Sequence, residues 1–222
     1  MKKIVLSIAA LSLLINISNA QDKAFKKGDI TAGLGVGFGL YGTKLHSEAT
    51  YGSIKVVDDT TDGAVSVIYP LMAEYGVTDW FGVGARFAYS NYFEERDSIT
   101  NIKPKVNAFD LGLALNFHLV KSKHFDMPIS LLFGYSNFKI HFNDPTNQIG
   151  KDNGLNYGIM LTPRIYFGDH IGMFFNIGYL GYNYPSIQFS NNTDSNLNDN
   201  NNWLFKLKGN GANLGIGLTA KF

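Results

Sequence analysis

Cysteine is absent from all 222 residues, so no disulfide framework can staple this chain, and its stability has to come from burial or from closing a sheet. Excess charge is missing as well. Nineteen Lys and Arg face 18 Asp and Glu, a net charge of +1, without the clustered base that phosphate recognition needs, which excludes nucleic acid as a partner. Long apolar runs are confined to the first twenty residues, and leucine-rich helical periodicity is missing throughout. Glycine and aromatic residues are abundant instead, with 24 Gly, 17 Phe and 12 Tyr. That mixture favours many strands joined by tight turns.

The one apolar run reads as a secretory signal. Met1-Lys2-Lys3 gives a short positive start, Ile4 to Ile17 is mostly apolar, and Ser18-Asn19-Ala20 places small residues where a signal peptidase cuts. A spanning helix needs about 20 apolar residues. Here Ser7, Ser12 and Asn16 interrupt the run, and Gln21-Asp22-Lys23 follows directly. Residues 1–20 are therefore expected to be a cleaved signal peptide and residues 21–222 a single domain. Gln21 in place of cysteine after the cut predicts no lipoprotein anchor.

Scored against a period of two, the rest of the chain yields eight segments long enough to span a bilayer as tilted strands of about 9–11 residues. The last is the most telling. Ala212, Leu214, Ile216, Leu218, Ala220 and Phe222 share one face, and Gly211, Asn213, Gly215, Gly217, Thr219 and Lys221 share the other. The fourth is the most regular, with Phe109, Leu111, Leu113, Leu115, Phe117 and Leu119 between Asp110, Gly112, Ala114, Asn116 and His118. The others run from Asp29 to about Tyr41, Val65 to Tyr75, Phe81 to Phe93, Pro128 to Ile140, Leu155 to Phe167 and Ile171 to about Gln188. A set rich in glycine, alanine, serine and threonine makes a poor solvated surface and a good narrow lumen, which argues against a soluble sandwich or lipocalin-like barrel.

The links alternate strictly. Short ones are 76–80, 120–127 and 168–170; long polar ones are 42–64, 94–105, 141–154 and 189–209. In outer-membrane barrels short turns face the periplasm and long loops face outside. Two aromatic belts are expected, one with Tyr75, Trp80, Phe81, Phe117, Phe125, Phe167 and Phe222, the other with Tyr41, Tyr89, Phe93, Phe109, Tyr135, Tyr157 and Tyr184. The predicted fold class is all-β: an eight-stranded, up-and-down antiparallel transmembrane β-barrel.

On these residues the chain resembles the small eight-stranded outer-membrane barrels of the OmpX and OmpA-transmembrane type, within the porin-like outer-membrane β-barrels. The likeness spans essentially the whole mature sequence. Gly217-Leu-Thr-Ala220-Lys-Phe222 is similar to the carboxy-terminal signal read by the barrel-assembly machinery, and Glu74 to Arg86 resembles the second-to-third-strand hairpin of porin-like families. The resemblance implies a Gram-negative outer-membrane location, with outer-membrane lipid and the assembly machinery as partners. Unlike the OmpA pattern, no peptidoglycan-binding domain is expected after the barrel.

Signs of chemistry are few. Gly37-Phe-Gly39-Leu-Tyr-Gly42 matches a phosphate-loop pattern, with Asp58 and Asp59 near the distance of a ribose-binding acid, but the pattern must open a helix and Thr43 to Glu48 has no helical apolar face. None of His46, His118, His124, His141 and His170 stands in a triad pattern with serine, and no cluster has metal-ligand spacing. No cofactor is expected. The inward charges Asp29, Glu74, Arg86, Asp110, Arg164 and Lys221 balance in sign. Inside a barrel barely wide enough for its own side chains they are expected to pair and fill the lumen. The first long link, with Tyr51, Ile54, Val56 and Val57, alternates enough for a protruding hairpin. Together with the fourth, an Asn/Asp/Ser tract from Ser190 to Asn202 followed by Trp203, it is the expected place for an extracellular ligand.

The function expected from all this is that of a monomeric, non-enzymatic integral outer-membrane barrel with a side-chain-filled lumen, acting in envelope structure or through its surface loops. The alternatives are a narrow channel or a component of an export or assembly apparatus, then a lipid-modifying enzyme.

Overall fold

The protein is described from a computed structural model covering residues 23–51, 53–94, 103–143, 147–190 and 203–222; the expected signal peptide and most of the tract from Ser190 to Asn202 lie outside the described residues. The strands are β1 (Ile30–Tyr51), β2 (Ile54–Gly76), β3 (Phe81–Phe93), β4 (Lys105–Lys121), β5 (Phe125–His141), β6 (Ile149–Leu161), β7 (Arg164–Tyr166), β8 (Ile171–Tyr184), β9 (Gln188–Ser190) and β10 (Trp203–Lys221). Every pairing is antiparallel, and β10 returns beside β1 to close a ring of eight staves.

Two staves are broken by proline. β6 and β7 together make the sixth stave, interrupted at Thr162 and Pro163, and β8 and β9 make the seventh, interrupted from Pro185 to Ile187. A prolyl nitrogen has no hydrogen to give the ladder. Pro163 therefore serves only as an acceptor, from the Phe175 N–H at 3.0 Å. A third irregularity shifts the β4–β5 register between His118 and Val120, beside Pro128. Bulges of this kind re-aim side chains, and here His118 turns inward with Asp126 on the facing strand.

Alternation sets the two surfaces. Leu34, Phe38 and Leu40 of β1, Leu113 of β4, Ile159 of β6 and Leu214 and Leu218 of β10 are large, apolar and exposed, a combination that suits hydrocarbon rather than water. Their neighbours in sequence point inward, where glycine makes room. A Cβ on Gly35 or Gly217 would collide with the ring of Phe174, a buried side chain that fills the space these strands leave.

The strands run farther than alternation predicts. The link expected at 42–64 is mostly hairpin, with β1 and β2 paired out to Tyr51 and Ile54; that at 141–154 shrinks to 142–148, and that at 189–209 to 191–202. Polar strand residues beyond the bilayer keep the same backbone pairing without the apolar face that marks a span. Two aromatics assigned to the outer belt face inward instead. Tyr41 is 5% and Tyr184 3% exposed, whereas Tyr89, Phe93, Phe109, Tyr135 and Tyr157 do face outward. Tyr41 sits at an odd position of β1, in phase with Gly37 and Gly39, so the pleat dictates the lumen.

Candidate functional site

The lumen contains two polar layers and an open mouth. Nearest the short turns, Glu74 of β2, His118 of β4, Asp126 of β5 and Arg164 of β7 meet. Arg164 Nη1 lies 2.7 Å from Glu74 Oε2 and 3.5 Å from Asp126 Oδ2, the second an ion-pair approach without a hydrogen bond. His118 bridges the two carboxylates, Nε2 to Glu74 Oε1 at 2.7 Å and Nδ1 to Asp126 Oδ1 at 2.8 Å. Carboxylates only accept, so both ring nitrogens donate and the imidazole is positive. Two positive and two negative groups then cancel. The hydroxyl of Thr31 donates to Glu74 Oε2 at 3.2 Å.

This layer has a stopper. Phe25 is fully buried, its ring stacked on His118 at 3.4 Å and 8° between planes. The segment is pinned by Ala24 N–H to the Ser122 carbonyl at 2.7 Å, Gly28 N–H to the Gly76 carbonyl at 2.8 Å and Lys27 N–H to Asp79 Oδ1 at 3.0 Å. The void left in this part of the barrel measures about 20 Å³. That is room for a water molecule.

The second layer is built on Asp110. It accepts from Ser136 Oγ at 2.5 Å and from the Tyr182 hydroxyl at 3.1 Å, with Arg86 Nη1 3.9 Å away. The Ser136 and Tyr184 hydroxyls are 2.7 Å apart. These bonds hold the stacked rings of Tyr182 and Tyr184, centroids 6.2 Å apart, and Tyr41 meets Tyr182 edge-on at 5.6 Å. Above this floor opens a cavity of about 310 Å³ whose lining includes Tyr92, Phe138, Phe142, Phe189 and Leu207, with Asp62 and Glu94 among its polar groups.

Beyond the mouth, β10, β1 and β2 continue as a three-stranded sheet, paired to Ala49 opposite Trp203 and Tyr51 opposite Ile54. Its outer face is charged. Lys44 reaches Asp59 at 2.9 Å, His46 Nδ1 reaches Asp59 at 2.7 Å and Lys55 reaches Glu48 at 2.8 Å. The lysines hold the exposed carboxyls of Asp59 and Glu48 below their ordinary values. The inner face carries exposed Ile54 and Val56, while Trp203 stacks on Phe205 at 5.5 Å. Tyr51 is placed by register alone.

Of the six inward charges read from sequence, the structure brings together Glu74 with Arg164 and Arg86 with Asp110. Asp29 instead accepts from the Lys26 N–H at 3.0 Å, and Lys221 lies over the Tyr166 ring at 5.4 Å. Lys221 is opposite Thr31 and Phe222 pairs with Ile30, the residue after Asp29. Gly37 and Gly39 lie within β1, with the Tyr41 ring folded over Gly39. His118, on the inward face of the expected fourth strand, gains two carboxylate partners, one of them Asp126 from inside the expected turn 120–127. The signal is an acid two residues before Pro128, the register partner of His118, with a bulge between, which strict alternation hides. Among the described residues, no three His, Cys, Asp or Glu side chains are disposed to hold a metal ion.

No protein-family model and no curated protein matches the sequence. Among solved structures, the outer-membrane protein OprG from Pseudomonas aeruginosa aligns over 89% of this chain and 97% of its own, with a TM-score of 0.53 at 14% identity. This is the fold of the small outer-membrane β-barrels. Ail, the attachment invasion locus protein of Yersinia pestis, aligns over 88% of this chain and 99% of its own with a TM-score of 0.45 at 13% identity, and Neisserial surface protein A over 83% and 97% with a TM-score of 0.44 at 11%. Identities this low report architecture. The belt of exposed apolar side chains around this barrel is what that architecture needs to sit in lipid.

Proposed function

We propose that the protein is an integral outer-membrane barrel with a closed lumen, non-enzymatic, whose work is done outside the membrane by the protruding β10–β1–β2 sheet. The observation that carries this reading is a strand edge. β2 is paired with β3 only from Val65 onward, so among the described residues its stretch from Ile54 to Ala64 has β1 on one side and no strand on the other. An unpaired edge of this length is a template for a partner's strand. Ile54 and Val56 add apolar anchors on the inner face. Closure of the lumen rests on the balanced layer around Glu74 and Arg164, with a void of about 20 Å³ beside it.

Gly217, Ala220 and Phe222 belong in this reading to the end that the assembly machinery engages. Phe222 is 73% exposed and sits at the β10–β1 seam, where insertion has to finish. One chain closes the ring, so a monomer suffices.

The test has two arms. Planar-bilayer recording should show no steady conductance; a large, stable conductance would replace this reading with a channel. A photo-crosslinking residue at Val56 should capture a cell-surface protein, and excising residues 44–60 should abolish capture while the shortened barrel still shows heat-modifiable migration. Capture that survives the excision would remove the sheet as the working surface.

A further inference from the structure

We propose that the mouth of the barrel binds a small organic cation with an apolar body, of the arylalkyl-ammonium class. A cavity of about 310 Å³ lies at the small end of ligand pockets, enough for one ring and a few carbons. Its surfaces suit both halves of such a molecule. Its base is lined by Tyr182 and Tyr184, held by the hydrogen bonds of their hydroxyls to Asp110 and Ser136, and Phe138 packs on Tyr184 at 5.1 Å. Aromatic side chains held in place around a cavity, here with Tyr92, Phe138, Phe142 and Phe189, are preorganised to attract a cation through their quadrupoles and to cover an apolar body.

Charge selects the sign. Glu94 and Asp62 line the cavity, and among the described residues no lysine or arginine does. Among the described residues neither carboxylate forms an ion pair, whereas the lysines Lys44 and Lys55 are engaged on the opposite face of the sheet. Burial, then the neighbouring Asp62, pushes the Glu94 carboxyl above its ordinary value, the response of an acid that lacks a cation. An ammonium group seated between the tyrosine rings and Glu94 supplies one. Anions meet two carboxylates, and a neutral body of the same shape gains only the apolar contact.

The full chain, refolded into lipid nanodiscs, should be titrated calorimetrically with benzyltrimethylammonium, with its neutral carbon isostere neopentylbenzene and with benzenesulfonate, against empty nanodiscs. The cation is expected to bind saturably, the neutral isostere about fivefold more weakly, the scale of one partly exposed charge interaction, and the anion not at all. Glu94→Gln should remove that advantage and leave the isostere unchanged; Phe138→Ala should weaken both. Absence of saturable binding by the cation overturns the site, and equal affinities for the three probes, or a Glu94→Gln variant with the cation preference intact, overturn the assignment of its ligand. None of these outcomes depends on the β2 edge, so this site and the protruding sheet stand or fall separately.

Discussion

The two ends of the lumen use similar residue types to opposite purpose. At the short-turn end, Glu74, Asp126, Arg164 and His118 neutralise one another, and the ring of Phe25 closes over them. At the mouth, Asp62 and Glu94 have no cationic counterpart among the described residues, and the aromatic rings line a cavity instead of filling one. Burying charge is costly unless every group is matched, so the matched end can be dry and packed while the unmatched end must stay open to water or to a ligand.

Breaking the matched end should give the largest effect. Arg164→Met leaves two carboxylates against a single imidazolium, and removing one partner of a buried ionic group costs about 3–5 kcal/mol. The urea midpoint of the refolded barrel should fall accordingly. Adding Glu74→Gln restores the balance between His118 and Asp126, and the double variant should recover a good part of the loss. If Arg164→Met left the midpoint unchanged, the layer would not be the clamp the geometry describes. The same variant in a planar bilayer asks whether this layer, rather than Phe25, seals the lumen.

How far the two ends were readable in the sequence follows from the same physics. Alternation is local, so the eight staves, the lipid face from Leu34 to Leu218 and the inward direction of Glu74, Arg86, Asp110 and Arg164 are written in successive residues. Pairing across the lumen is not. Glu74 with Arg164 is a contact over ninety positions, set by stagger around the ring, and His118 with Asp126 depends on one extra residue near Leu119. Tyr41 and Tyr184 were misplaced for a related reason: an aromatic near a strand end fits a belt by composition, and only its parity with Gly39 or Tyr182 assigns it to the lumen. The mouth cavity could not be read at all, since its lining comes from both sides of the ring.

The floor between the ends should respond less than the ionic layer. Tyr182→Phe removes the donor to Asp110 and leaves that buried carboxylate with Ser136 and the more distant Arg86, at a cost of about 1–3 kcal/mol. Because the ring itself remains, the cavity keeps its apolar wall. Its stability loss by urea titration should therefore be smaller than that of Arg164→Met, and an equal or larger loss would mean that Asp110, not Glu74, anchors the barrel.

The smallest effect belongs to the hairpin, which is outside both layers. Lys44, then His46, hydrogen-bonds the exposed Asp59 and lowers its titration from the ordinary aspartate value. A carboxyl whose folded value is depressed stabilises the fold above its unfolded value, and that contribution fades as the pH falls through the folded value. Acidification should accordingly loosen the paired stretch around Lys44 and Asp59 below the ordinary aspartate range, with exchange of its amides rising while the lumen layers stay protected. Hydrogen exchange in nanodiscs at neutral and acid pH reads both regions at once. In Lys44→Ala the Asp59 titration should move back up toward its ordinary value, with little change in overall stability, as exposed pairs give. A hairpin that instead opened together with the Glu74 layer would mean the two ends are one cooperative unit, and the division between a sealed base and an independent outer surface would have to be given up.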